Sequence, residues 1–239
     1  MSLTIGPGIT LGAGVRIDPV YNPITAGLQL YLDAQNYTGS GTTWTAQVGS
    51  DATLYNTPTY TASSPTYFNF VPASFQWSSA PDLGNLNNWT VEAWFRTSAA
   101  DLSSYVTAVV CNEWNYSTSL NYCLGTMGNT TNISAGFFDG NWHNTSGFRP
   151  AANTWYQSVG TYNGSTITQY VNGASQSTLS YTGTPTSGGA VRIASRWDDQ
   201  SQLIDYFPGD IAIIKIYNTA LSSADVLQNF NATRLRFGI

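Results

Sequence analysis

The sequence predicts an all-β, two-sheet antiparallel sandwich closed by one short helix. Three observations carry this. Short period-two apolar stretches recur from Gly27 onward and are broken by Asn, Gly, Ser and Pro turns. No helical period interrupts them before Leu221. The run Phe207-Pro208-Gly209 through Tyr217-Asn218 then reads as a turn, a β-rich apolar strand and a stop. Ser222 follows, three residues ahead of Asp225, as a capping box for a helix with Val226, Leu227 and Phe230 on its apolar side.

Taken in order, Leu28 to Asp33 alternates and opens the domain. Trp89 to Arg96 places Val91, Ala93 and Phe95 on one face. Stretches 106–112 and 120–126 read as a hairpin centred on Ser117. Tyr156 to Tyr162 and Thr166 to Val171 form another around Asn163-Gly164-Ser165. Asn172-Gly173 is a further turn, and Val191 to Ala194 a further strand. At 239 residues the chain suits one large β-domain spanning 25–239, preceded by an arm of residues 1–24. Within the arm, Thr4-Ile5-Gly6-Pro7-Gly8-Ile9 and Thr10-Leu11-Gly12-Ala13-Gly14-Val15 match at a period of six. Two such units are too few to bury their own apolar face, so Ile5, Gly6, Gly8, Ile9, Leu11, Gly12, Gly14 and Val15 are expected to order against a neighbouring subunit.

Composition narrows the function. Only 9% of residues are charged, against roughly 25% in ordinary soluble domains, so hydroxyls and amides must cover the surface. The net charge of −5 and the scattered arginines exclude a nucleic-acid partner. No stretch approaches the ~18 apolar residues of a membrane span, and Met1 is followed by no secretory pattern. An extracellular-looking surface without a secretion signal is reconciled most simply if the protein leaves its cell inside a particle. Cys111 and Cys123 would face each other across their hairpin, either as a disulfide or as two small buried thiols. Assembly in a reducing compartment favours thiols.

Several segments resemble the laminin-G-like, concanavalin A-like lectin/glucanase family. The closing run Gly209-Asp210-Ile211 to Asn218-Thr219-Ala220-Leu221-Ser222 resembles its terminal pattern. Trp89-Thr90-Val91-Glu92-Ala93-Trp94 resembles its central strand. Trp155 to Gly164 with Tyr170-Val171-Asn172-Gly173 resembles its hairpin. The tail Asn229 to Ile239 resembles endings of laminin-G-like proteins encoded by marine phages. The resemblance implies a jelly roll, mostly a binding fold, here on a virion surface as a capsid-decoration, head-fibre or tail-fibre subunit. It would be homo-oligomeric and attached to other virion proteins through the arm. The alternative is a free lectin or adhesin. Ala212 departs from the acidic residue the family often carries there, against a family-type calcium site.

Catalysis is not expected. A jelly-roll glycosidase needs two neighbouring carboxylates, but no E-x-D-x-x-E triplet occurs and Glu92 and Glu113 are each isolated from other acids. The lone histidine, His143, excludes a histidine-based metal cluster and has no serine elbow to serve. No cofactor is expected; calcium remains an option through Asp198, Asp199, Asp205 or Asp210. The best ligand candidates are rings set among amides and carboxylates: Trp114 and Tyr116 in one loop, Asp139, Asn141, Trp142 and His143 in another. Such rings stack on sugars while the polar groups bind hydroxyls, so a host surface polysaccharide is the expected ligand. Equally, these tryptophans could fold back over the core rim. If every strand crosses the sandwich, Trp114 and Trp142 share one rim and Trp197 lies at the opposite end.

Overall fold

The computed structural model describes residues 21–97, 107–112, 119–127, 131–186, 189–197 and 203–239. The hexads of the arm, Ile5 to Val15, lie outside the described residues, as do Trp114 and Tyr116. The first strands are Leu28–Asp33 (β1), Thr43–Trp44 (β2), Ala46–Val48 (β3), Ala52–Tyr55 (β4), Thr59–Thr61 (β5) and Tyr67–Phe70 (β6). There follow Trp77–Ala80 (β7), Trp89–Thr97 (β8), Ala108–Asn112 (β9), Leu120–Thr126 (β10), Ile133–Phe138 (β11) and Trp142–Asn144 (β12). The last are Tyr156–Tyr162 (β13), Thr166–Val171 (β14), Ala174–Ser180 (β15), Val191–Ile193 (β16), Arg196–Trp197 (β17), Leu203–Ile204 (β18) and Gly209–Tyr217 (β19). Helix α1, Ser223–Thr233, then leads into a 3-10 turn at Arg234–Phe237.

Two antiparallel sheets form the sandwich. One runs β15-β14-β13-β8-β19-β1-β3, with β6 on β19 and β5 on β6. The other runs β12-β11-β10-β9-β16-β7-β4-β2. Val91, Ala93 and Phe95 of β8 face the shared core with Leu124, Phe137, Ile193 and Ile214, as their alternation predicts. Both the hairpin of β13 and β14 and the boundary strands β1 and β19 fall where the turn residues place them. Asn163 Oδ1 accepts from the Ser165 and Thr166 amides at 3.0 and 2.9 Å, while Gly164 takes φ +91°, open to glycine at little cost.

Helix α1 forms as its capping box dictates. Ser222 Oγ accepts from the Asp225 amide and Asp225 Oδ2 accepts from the Ser222 amide. Val226 and Phe230 are buried, but Leu227 is 47% exposed and does not belong to the inner side; Asn229, fully buried, takes that place. The reason lies beneath the helix, where the outer face of β8 and β19 presents Glu92 and Lys215. Lys215 Nζ donates to Glu92 Oε1 at 3.0 Å, and Gln157 Nε2 donates to the same oxygen at 3.0 Å. Asn229 Nδ2 donates to Glu92 Oε2 at 2.8 Å. A buried ion pair needs its remaining lone pairs filled, and Asn229 does that. Its Oδ1 in turn accepts from the Ile24 amide at 2.7 Å, and Gln228 Nε2 donates to the Asn22 carbonyl at 2.9 Å. The end of the arm is therefore pinned along the helix.

Cys111 and Cys123 are register partners on β9 and β10, as the hairpin predicts, and both are buried thiols. Hydrogen bonding to Cys111 and burial push the Cys123 thiol well above its ordinary range. Segment β17–β18 does not cross the sandwich. It doubles back over the outer face of β9, where Cys111 Sγ lies 3.8 Å from the Ser195 carbonyl.

Candidate functional site

The predicted loop of residues 139–144 divides across its sheet. Residues 142–144 are strand β12 rather than loop, so successive side chains point to opposite sides. His143 turns inward to stack on Tyr181, with ring centroids 3.4 Å apart and planes at 15°. Asp139 holds both: Oδ1 lies 2.8 Å from His143 Nε2, and Oδ2 accepts from the Tyr181 hydroxyl at 3.3 Å. Trp142 turns outward against Phe138 at 5.4 Å, in an apolar cluster with Leu120, Met127 and the two cysteines. Asn141 is exposed at the turn. Asp139 and His143 therefore form one group and Trp142 belongs to another, so the four residues do not line a single sugar seat.

Trp197, expected at the end opposite Trp142, has its side chain outside the described residues. The guanidinium of Arg196, next in sequence, sits 5.6 Å from the Trp142 ring centroid. Asp205 and Asp210, two of the calcium candidates, are each engaged by an arginine. Arg196 Nε donates to Asp205 Oδ2 at 2.9 Å, and Arg96 Nε to Asp210 Oδ2 at 2.7 Å. Asp198 and Asp199 lie outside the described residues. Among the described residues no group of three or more His, Cys, Asp or Glu comes together to hold a metal.

A cleft that the sequence did not announce lies at the Arg96–Asp210 pair. It encloses about 290 Å³ and is lined by Asn69, Val71, Arg96, Asn153, Pro208 and Asp210 among others. Its geometry follows from register: β19 pairs with both β8 and β6, which sets Asp210 beside Arg96 on one side and Asn69 on the other. Asn69 Nδ2 donates to Asp210 Oδ1 at 2.8 Å, so both carboxylate oxygens are engaged. The guanidinium lies over two rings, 5.1 Å from the centroids of Tyr67 and Trp155, which fixes its plane. Burial opposes its charge, yet the Asp210 partnership leaves its proton more tightly held than usual. Gly209 is required here, because a Cβ would sit 2.3 Å from the Arg96 carbonyl. The result is a neutral lining of fixed donors and acceptors with no net charge to attract an ion. Arg96 and Asp210 stand 114 positions apart, and only Asp210 drew notice in the sequence. The Pro208-Gly209 turn beside it was the available signal.

The chain belongs to the concanavalin A-like lectin/glucanases superfamily, whose laminin G model matches residues 72–227. No curated protein sequence matches the chain. Solved structures share the fold. Domain 4 of the extracellular arabinanase AbnA from Geobacillus stearothermophilus, in complex with arabinotriose, superposes with a TM-score of 0.68 at 16% identity, covering 85% of this chain and 98% of that one. The binding domain of botulinum neurotoxin DC with SialylT gives 0.61 at 16% identity, covering 86% and 51%, so the chain spans about half of that domain. Trypanosoma rangeli sialidase with the inhibitor DANA gives 0.57 at 16% identity, covering 89% and 34%. Among the described residues no helix is long and apolar enough to cross a membrane.

Proposed function

We propose that the protein is a non-enzymatic glycan-binding jelly roll displayed on the surface of a phage particle, with the Arg96–Asp210 cleft as its sugar seat. The observation that carries the binding is the lining itself. A guanidinium, a carboxylate and the carboxamides of Asn69 and Asn153 surround a concave space without net charge, which suits a ligand made of hydroxyls. The fold adds support, since the structures it resembles include domains solved with arabinotriose and with SialylT.

A hydrolase is not favoured. Each Asp and Glu among the described residues already serves a structural partner: Asp33 binds Arg236, Glu92 binds Lys215, and Asp139 binds His143. Asp51, Asp82 and Asp225 accept from backbone amides. Glycosidic cleavage needs one carboxyl free to donate a proton and another to attack or activate water. The virion setting rests on the uncharged surface, the Gly-rich hexads and the phage-like tail, with many weak sites on one particle gaining from multivalency. No cofactor is invoked.

Two measurements test this. Immunoblots of purified particles should carry the protein, and absence from intact virions defeats the particle assignment. A glycan array probed with the full chain should give saturable hits that Asn69→Ala weakens. A blank array with and without calcium defeats the binding assignment.

A further inference from the structure

The cleft does not end at Asp210. Val71 and Pro72 form its wall and lead through a 3-10 turn, Pro72–Ser74, to Phe75. Phe75 is 61% exposed and holds φ +51°, the left-handed region that is strained for a bulky residue. An apolar ring placed in water on a strained backbone calls for a reason. The strain is supported rather than relieved: Asn56 Nδ2 donates to the Phe75 carbonyl at 2.7 Å, and Gln76 Nε2 donates to the Asn56 and Thr57 carbonyls at 3.1 and 3.0 Å. Tyr206, two residues before the cleft wall at Pro208, meets the Phe75 ring edge-on at 5.6 Å.

Beyond Phe75 the outer face of the eight-stranded sheet carries a second ring. Tyr55 on β4 stacks on its register partner Trp77 at 3.9 Å with planes at 4°, and remains 39% exposed. Trp77 is buried on its far side, where the Arg192 guanidinium lies 4.8 Å from its centroid and donates to Ser79 Oγ at 2.9 Å. Tyr55 is thus a flat outward face on a rigid stack of ring and guanidinium. Its strand neighbours Thr53 and Asn56, and Ser79 opposite Thr53, carry no charge, and the charge in the stack is the Arg192 guanidinium behind Trp77.

We infer that the cleft is one end of a binding track, and that its ligand is an extended polysaccharide chain rather than a single terminal sugar. One unit occupies the cleft, and successive units lie against Phe75 and then Tyr55. This rests on the glycan-binding reading above and adds to it the length of ligand recognised. The commitment to a polysaccharide follows from chemistry. Flat rings flanked by hydroxyls and amides offer C–H stacking and hydroxyl bonding at once, and they continue a cleft whose ion pair leaves it without net charge.

The test uses the full chain, a polysaccharide identified on the array, and fragments of it from one sugar unit upward, with affinity measured by calorimetry. Wild type should bind longer fragments more tightly, by roughly tenfold for each stacking position gained. Tyr55→Ala and Phe75→Ala should flatten that rise, with losses that grow with fragment length. Asn69→Ala should weaken all lengths by a similar factor. Thermal unfolding of each variant separates loss of fold from loss of contact. The inference is overturned if wild-type affinity does not depend on length, or if the two ring variants keep the wild-type dependence. It is also overturned if they alter particle incorporation while leaving polysaccharide binding intact, which would make the patch a protein contact. If wild type binds no glycan at all, the glycan-binding reading itself fails and the track falls with it.

Discussion

The two sheets of this sandwich present outer faces that have met opposite fates. Helix α1 and the turn at 234–237 seal one of them. There Trp94 stacks on Phe237 at 3.9 Å and lies parallel to Phe230 at 5.9 Å. Glu92, Lys215 and Asn229 are completely enclosed beneath them. Among the described residues the other face is covered at β9, where β17 lies, and keeps Tyr55 at the surface. On the sealed face, charge is tolerated because each ion is paired. On the open face, the Tyr55 and Trp77 rings stack beside the Arg192 guanidinium, with the hydroxyls of Thr53 and Ser79 next to them. The difference teaches that the part of one face covered by the helix contributes stability, while the cleft on the same sheet at Arg96 and Asp210 and the open part of the other face stay accessible.

The largest effect that would break this comparison lies under the helix. Lys215→Ala leaves Glu92 buried without its counter-ion, and removing one member of such a pair costs about 3–5 kcal/mol. Urea unfolding should show that loss. A double change of Glu92 and Lys215 to well-packed apolar residues should recover much of it, since burying both charges carries its own desolvation cost. If Lys215→Ala unfolds at the wild-type midpoint, the network is not what holds the helix.

What could be read in the sequence divides along the same line. Val91, Ala93 and Phe95 were legible as a core face because period two needs only one strand. That Thr90, Glu92 and Trp94 are equally buried was not, because alternation assigns the second face to water unless a covering element is known. The capping box located α1 but not its orientation: Leu227 reads as apolar, yet Asn229 faces inward to meet Glu92. His143 and Trp142 read as one loop, while the strand they form sends them apart. The cleft was beyond reach for a different reason. Asn69, Arg96 and Asp210 become neighbours through the register of three strands, and no local pattern encodes register between segments so distant in sequence.

The cap tests a smaller term on the sealed side. Ser222→Ala removes the acceptor for the Asp225 amide and should cost about 1 kcal/mol, visible as a lower Tm. Losing the cap should also loosen Asn22 and Ile24, whose bonds depend on the helix, and faster amide exchange at Ile24 would register it. An unchanged rate there separates the arm from the helix. On the open face, Tyr55→Ala should cost only about 0.5–1.5 kcal/mol, the value of one ring pair, because the phenol already faces water. A much larger loss would make the stack a structural support.

The smallest effect is the sharpest test of how the sealed face is sealed. Leu227 and Val226 are adjacent on α1, yet Val226 is fully buried against Val159, Tyr170 and Tyr217 while Leu227 stands 47% exposed. Val226→Ala removes core methyls and should destabilise by about 1–2 kcal/mol. Leu227→Gln exchanges one exposed side chain for another of good helix propensity and should stay within about 0.5 kcal/mol of wild type. Leu227 does touch the β14–β15 turn, where a Cβ on Gly173 would lie 3.0 Å from its Cδ1, so the contact is not nil. It is a rim contact, with water already on one side. A loss for Leu227→Gln equal to that for Val226→Ala would mean the helix buries its apolar side by the amphipathic pattern alone. A near-neutral result places the seal in Asn229 and the charges it satisfies.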